Sequence, residues 1–274
     1  MVPQIKNGIL NIDKPQGITS HDVVDIVRKI FPGIKVGHTG TLDPIATGVL
    51  PICIGKATKL SDELLSENKV YKVKMLLGVE TDTYDITGKI VFANTLNEDE
   101  IYIKERIKRF IGKSSQIPPI YSAIKIKGKK AYEYARNNEN VSLKPREIEI
   151  FNIDDIDVNL RKRQVSFVVS CTKGTYIRSL VHDIGIKLGC GATMIELKRL
   201  KTGDFDINDS IDLYEFLNLE YLDMLDKIVS IEELYKDSKK INLKDKDYDK
   251  FLNWNSHKDW CTKWNSKGIW EFKV

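Results

Sequence analysis

A chain of 274 residues, 42% hydrophobic and 30% charged with a net charge of +4, is long enough for one large domain and a small appendage, and its balance excludes a largely disordered or fibrous protein. No apolar run approaches the roughly 18 residues a membrane helix needs, and the start MVPQIKNGIL lacks a signal peptide's basic and long apolar regions, so the expected address is the cytoplasm with no membrane contact. Cys53, Cys171, Cys190 and Cys261 lie 118, 19 and 71 residues apart, neither a CxxC zinc pattern nor a dense disulfide scaffold, and are expected to be reduced and buried.

Taken in chain order, Val23, Val24, Val27, Ile30 and Phe31 fall at helical spacing over 21–31, with Ser20 as expected N-cap and Pro32-Gly33 as the stop. Residues 37–48 carry three glycines in twelve positions, the mark of a loop that bends tightly or approaches something closely. Within it, Asp43 followed by Pro44 reads locally as a helix start. His38 reads locally as a hydrogen-bonded structural histidine, and one His with one Asp is too few ligands for a zinc site, so no metal is expected.

Tyr71, Val73, Met75 and Leu77 alternate with Lys72, Lys74 and Leu76, as do Val165, Phe167, Val169 and Cys171 with Ser166, Val168 and Ser170, which suits half-buried strands. After Gly174 the apolar spacing turns helical through Ile177, Leu180, Val181, Ile184 and Leu188, with Tyr176 and Arg178 at the junction. Further strands are expected near 88–92, 120–127, 147–158 and 193–201, and helices near 98–111, 130–137 and 211–227. Strands and helices mix without a regular βαβ alternation, so the expected class is α+β, a large mixed sheet flanked by helices over 1–230. All four tryptophans fall after Asp237 among nine lysines, and 231–274 is expected to form a small β-rich appendage.

Charge is unevenly spread. From Lys104 to Glu147 there are twelve Lys/Arg against four Asp/Glu, whereas Asp206 to Asp237 holds ten acids and two lysines. Lys125, Lys127, Lys129 and Lys130 interleave with Tyr121, Tyr132 and Tyr134, a combination able to contact phosphates and stack on bases. A solvated basic hairpin is the competing explanation.

The segment GHTGTLDPIATGVLP (37–51) resembles the catalytic loop of the TruB-type tRNA pseudouridine-55 synthases. DKPQGITS (13–20), YKV (71–73) with LG (77–78) and TDT (81–83), IPPIYSA (117–123), GKKAYEYAR (128–136), KGTYIRSL (173–180), LGCGA (188–192) and LKRL (197–200) resemble the family's other motifs, in family order over roughly residues 8 to 205. A monomer is expected because no heptad or long exposed edge stands out. The resemblance implies a stand-alone enzyme that isomerises uridine-55 in the T arm of tRNA with no cofactor and no obligatory protein partner. It makes Asp43 the nucleophile and sets Tyr71 against the target base. Arg178 would pair with Asp43 and lower its pKa, while Tyr176 and Leu197 line the uridine pocket. His38 would fill the space left by the extruded nucleotide, Lys14 and Pro15 would support the loop, and Lys129 and Lys130 would belong to an RNA-gripping thumb over about 116–146. The family's small PUA domain is not matched by 231–274, a reduced form of it being the nearest expectation. Two other functions remain open at this stage, the catalytic subunit of a guide-RNA pseudouridylation particle and a tRNA-folding chaperone.

Overall fold

The computed structural model describes residues 7–65, 67–95, 98–122, 124–126, 128–137, 139 and 141–237, with backbone alone for Lys130, Arg136, 263–264 and 270–271. The chain divides into two compact units, Met1–Val229 and Ser230–Val274.

The first unit is built on β1 (Gly8–Lys14), α1 (Ser20–Ile30), β2 (Val36–His38), β3 (Thr47–Ile54), α2 (Ser61–Leu65), β4 (Lys69–Leu77), β5 (Val79–Thr81), β6 (Ile90–Ala93), α3 (Glu100–Lys108) and β7 (Gly112–Gln116). It continues through β8 (Lys125–Ile126), β9 (Lys129–Lys130), α4 (Ala131–Arg136), β10 (Arg146–Asn159), β11 (Gln164–Cys171), α5 (Ile177–Leu188), β12 (Ala192–Thr202), β13 (Phe205–Asp206), β14 (Ile211–Asp212), α6 (Leu213–Leu217) and α7 (Tyr221–Asp226). The main sheet runs in the order β14-β1-β3-β12-β4-β11-β10-β7, with β2 added on β3 and β13 on β12. Two pairs, β1 with β14 and β3 with β12, are parallel and the other pairs of this path are antiparallel. This is the large mixed sheet of an α+β protein.

Alternation decides which side chains enter the core. In β4, Tyr71, Val73, Met75 and Leu77 are buried while Lys72 is exposed; in β11, Val165, Phe167, Val169 and Cys171 are buried in the same rhythm. Adjacent in the sheet, the two strands place Tyr71 opposite Val169 and Val73 opposite Phe167. The buried face of α1, Val23, Val24 and Val27, and the α5 residues Leu180, Val181 and Ile184 close over this layer.

Three local expectations change. The N-cap of α1 is Thr19, whose side chain accepts from the Asp22 amide at 3.0 Å while the Asp22 carboxylate accepts from the Thr19 amide at 2.7 Å. Ser20 is instead the first helical residue and turns its hydroxyl elsewhere. The helix expected over 211–227 is two, because Asp212 caps α6 by accepting from Tyr214 and Glu215 amides and the chain is reset at Glu220 before α7. The strand expected over 120–127 is only β8, since residues 120–122 form a bend in which the Ser122 amide donates to the Ile120 carbonyl at 2.9 Å.

In the second unit, Ile231–Leu234 form a short helix capped by the Ser230 hydroxyl, and Lys263–Trp264 pair antiparallel with Trp270–Glu271. Trp254 and Trp260 lie outside the described residues.

Candidate active site

Asp43 sits in the loop between β2 and β3, and a set of specific contacts fixes that loop. The Leu42 amide donates to Ser20 Oγ at 2.8 Å and Ser20 Oγ donates back to the Leu42 carbonyl at 3.1 Å. Pro44 O accepts from the Gly17 amide at 2.8 Å, and the Ala46 amide closes a turn onto Asp43 O at 3.0 Å. No helix follows Pro44, so Asp43 is not an N-cap. Its carboxylate is thereby free of backbone capping duty. Beneath the neighbouring 15–18 turn, the fully buried Lys14 donates from Nζ to Pro15 O (2.8 Å) and Ile18 O (2.7 Å). Burial pulls its pKa down to about 8 against the attraction of Asp43.

Gly48 is needed where β3 meets β12. With φ at +103° and an added Cβ only 2.2 Å from Arg199 O, no other residue fits without moving backbone. This close approach brings Arg199 under the loop. Its Nε donates to Val49 O at 2.7 Å and Nη2 to Gly40 O at 3.2 Å, and its charge counters the rise that burial causes in the Tyr71 phenol pKa. Only 1% of Arg199 is exposed. Arg199 belongs to the LKRL motif (197–200), which by itself assigns it no part in the site. Its spacing of two from Leu197 on an alternating strand was the available signal, because it places both on the inward face.

Arg178 enters from the first turn of α5 and is 6% exposed. Its Nε lies 2.9 Å from Asp43 Oδ2 and its Nη2 3.1 Å from Asp43 Oδ1, a two-pronged grip on the carboxylate. The remaining donors reach Tyr121 O (2.9 Å), Thr83 O (3.3 Å) and Asp85 Oδ2 (3.7 Å). Asp85 is buried, and its Oδ1 accepts from Thr83 Oγ1 and from the amide and hydroxyl of Thr87. The guanidinium is therefore held on all sides before any substrate arrives.

Burial pushes the Asp43 carboxyl above the ordinary carboxylate value; the Arg178 charge opposes the rise and Asp85 adds to it. Arg178 pulls this pKa down, as expected, but desolvation outweighs the ion pair and the net shift is upward rather than downward.

A cavity of ≈ 240 Å³ opens over this carboxylate, with Tyr71, Tyr176, Leu197, Ser122 and Arg199 among its walls. Tyr71 and Leu197 are each 7% exposed. Desolvation raises the pKa of both phenols, Tyr71 and Tyr176. Tyr176 is placed by a residue the sequence did not single out: Gln116 accepts from the Tyr176 amide at 2.8 Å and donates to its carbonyl at 3.0 Å. A second cavity of ≈ 670 Å³ shares Asp43, Thr41 and Arg178 with the first and adds His38, Tyr121 and Tyr132. His38 is half-buried in β2, and desolvation lowers its pKa. Asp43 thus stands where a smaller cavity meets a wider one. Lys129 is exposed in β9, with Nζ 6.0 Å from the Tyr134 ring centroid, while the Lys130 side chain lies outside the described part. Among the described residues there is no cluster of His, Cys, Asp and Glu that would hold a metal ion.

Residues 28–177 match the family described as TruB family pseudouridylate synthase (N terminal domain), and residues 178–234 match the tRNA pseudouridylate synthase B C-terminal domain. The chain belongs to the TruB family of pseudouridylate synthases. It is similar to the tRNA pseudouridine synthase B of Clostridium kluyveri, 46% identical with 92% of this chain and 86% of that protein covered. Those of Clostridium tetani (54%, 76% and 71% covered) and Thermosipho melanesiensis (49%, 84% and 77% covered) are similar as well. Among solved structures, a chain in a Cbf5-Nop10-Gar1 complex is 34% identical at a TM-score of 0.63, with 81% of this chain and 57% of that chain covered. This chain therefore spans just over half the length of that structural relative.

Proposed function

We propose that this protein is an isomerase that converts uridine-55 in the T arm of tRNA to pseudouridine, acting as a monomer without cofactor or obligatory partner. The observation that carries the reading is the Asp43 carboxylate, gripped through both oxygens by Arg178 at the base of a ≈ 240 Å³ cavity. That volume lies below the roughly 300–1,000 Å³ of drug-sized pockets and suits a single flipped base.

The reaction breaks the bond from C1′ of the sugar to N1 of uracil, turns the base and joins its C5 to C1′, with the C5 proton lost and N1 protonated. No oxidant, reductant or phosphate donor enters the balance. Asp43 acts as the nucleophile, toward sugar or base, and its grip by Arg178 keeps the attacking oxygen aimed while the leaving base carries negative charge. Tyr71 lies against the base and handles its proton, with Arg199 orienting the phenol. Tyr176 and Leu197 close the pocket walls. His38, in the wider cavity, fills the gap left in the RNA, which offsets part of the roughly few kcal/mol that flipping costs. Lys14 supports the loop from below. The basic thumb with Lys129 and Lys130 grips the phosphates.

The relatives at 46%, 54% and 49% identity are named as tRNA enzymes, whereas the chain of the multi-protein Cbf5-Nop10-Gar1 complex is 34% identical and matched over 57% of its length; this favours the stand-alone reading. Incubating the purified protein with T-arm RNA and mapping pseudouridine tests it. Product at the T-loop uridine with protein and RNA alone is expected. Product only when a guide RNA and further proteins are added would overturn the stand-alone reading.

A further inference from the structure

One group lies next to the Asp43–Arg178 pair without touching either of the two cavities described above. Tyr84, in the loop of residues 82–89, has φ at +63°, a left-handed conformation that bulky residues seldom adopt unless their surroundings over-determine it. Its surroundings do so. The Tyr84 amide donates to Thr81 O at 3.1 Å, Tyr84 O accepts from the Met194 amide at 3.0 Å, and its ring stacks on His182 with centroids 3.9 Å apart and planes 14° from parallel. His182 Nδ1 lies 3.3 Å from Glu80 Oε1.

The placement on α5 gives the stack its consequence. Arg178 and His182 are four residues apart, so they share one face of the helix. Each reaches the same stretch of chain: Arg178 takes Thr83 O and Asp85, and His182 takes Tyr84 and Glu80. From the other side the loop is held by β12, through the bridge of Asp85 with Met194 and the Ile86 amide donating to Met194 O at 2.9 Å. The two groups that steady the outer edge of the Arg178 guanidinium thus belong to residues immediately flanking Tyr84.

We propose that Tyr84 and His182 form a positioning pair, which clamps the 82–87 loop to α5 so that Thr83 O and Asp85 keep Arg178 aimed at Asp43. Neither residue lines the two cavities that share Asp43. The pair lines a different cavity of ≈ 460 Å³, which also includes Gln116, the residue that clamps the Tyr176 backbone. A shift of the loop would let the guanidinium swing, and a misplacement of about 1 Å in a reacting constellation can cost up to about a hundredfold in rate.

The inference rests on the proposed activity, and its test separates the two. Single-turnover pseudouridine formation on T-arm RNA, RNA affinity and thermal melting are measured for the unaltered protein and for Tyr84→Gly, Tyr84→Phe and His182→Ala. Tyr84→Gly is the decisive variant, because glycine accepts the +63° backbone freely and so removes the ring without adding strain. The expected result is a roughly tenfold slower chemical step for Tyr84→Gly and His182→Ala with RNA affinity unchanged, and a normal rate for Tyr84→Phe, which keeps the stacked ring. A Tyr84→Gly protein that turns over at the unaltered rate would overturn the positioning role. So would a loss of rate in Tyr84→Phe equal to that in Tyr84→Gly, since the phenol hydroxyl and not the stack would then be at work. No product from the unaltered protein would remove the functional reading and this inference together.

Discussion

In the proposed reaction Asp43 must be an anion to attack, and its environment works against that charge. Because burial raises its pKa in the folded protein, protonation on acidification begins at higher pH than for a free aspartate, whose value is 3.8. The rate of the chemical step is therefore expected to fall on an acid limb that lies above the ordinary carboxylate range. Arg178→Met removes the opposing positive charge and should move this limb further toward neutrality while lowering the plateau. A limb centred at or below 3.8 would contradict the desolvated carboxylate. Other buried groups behave as plain core. Cys53 and Cys171 are pushed up to about 12 and about 11 by burial, and Cys190 is also raised. Since the thiolate is the reactive form, alkylation at pH 8 followed by peptide mass mapping should leave these three unmodified in the folded protein and label them in denaturant. The residue scale is also where the sequence was least legible. Gln116 and Arg199 are polar residues that read as surface by type, and they are buried because each satisfies backbone groups across long sequence separations. No local pattern encodes a partner 60 or 150 positions away.

Elements were legible wherever one periodic face met one core. β4 and β11 match their alternating patterns, and α5 follows its helical spacing up to a left-handed Gly189 cap. The apolar pattern over 211–227 continued through a break because Leu213 and Phe216 of α6 and Met224 and Leu225 of α7 all bury into the same core. Periodicity alone does not register a re-capping in between. In the loop of residues 37–48, the three glycines announced close approach without saying to what. At Gly48 the answer is the β12 backbone, in parallel register with Arg199 opposite Gly48. Gly48→Ala forces a Cβ into Arg199 O at a backbone angle alanine resists, so it should cost more than about 2 kcal/mol of stability. Urea unfolding checks this: an unchanged midpoint would show that the loop relaxes freely and that the β3–β12 contact does not fix the site.

At the scale of the whole molecule, the class and the central ion pair were readable from the sequence, the class from mixed periodicities and the pair through resemblance across ordered motifs. The assembly of Asp43, Arg178, Tyr71, Tyr176 and Leu197 around one cavity draws on a loop, a helix end and two strands far apart in the chain. Only the sheet order β3-β12-β4-β11 brings them together. The uneven charge supports an electrostatic hold on RNA by the segment from Lys104 to Glu147. Affinity for T-arm RNA should fall steeply as salt rises from about 50 to 200 mM, and Lys125→Ala with Lys129→Ala should flatten the slope by up to about two counterions. A salt-independent affinity would remove the basic segment from the interface. None of the described helices is long and apolar enough to cross a membrane.

The most direct test of the account is tritium release from T-arm RNA labelled at uridine C5, compared for the unaltered protein and Asp43→Asn, with RNA affinity measured for both. The account predicts release by the unaltered protein, a loss on the order of ten-thousandfold or more in the variant, and binding retained within a fewfold. Release by Asp43→Asn at a rate close to that of the unaltered protein would contradict it, because the carboxylate held by Arg178 would then take no part in the chemistry.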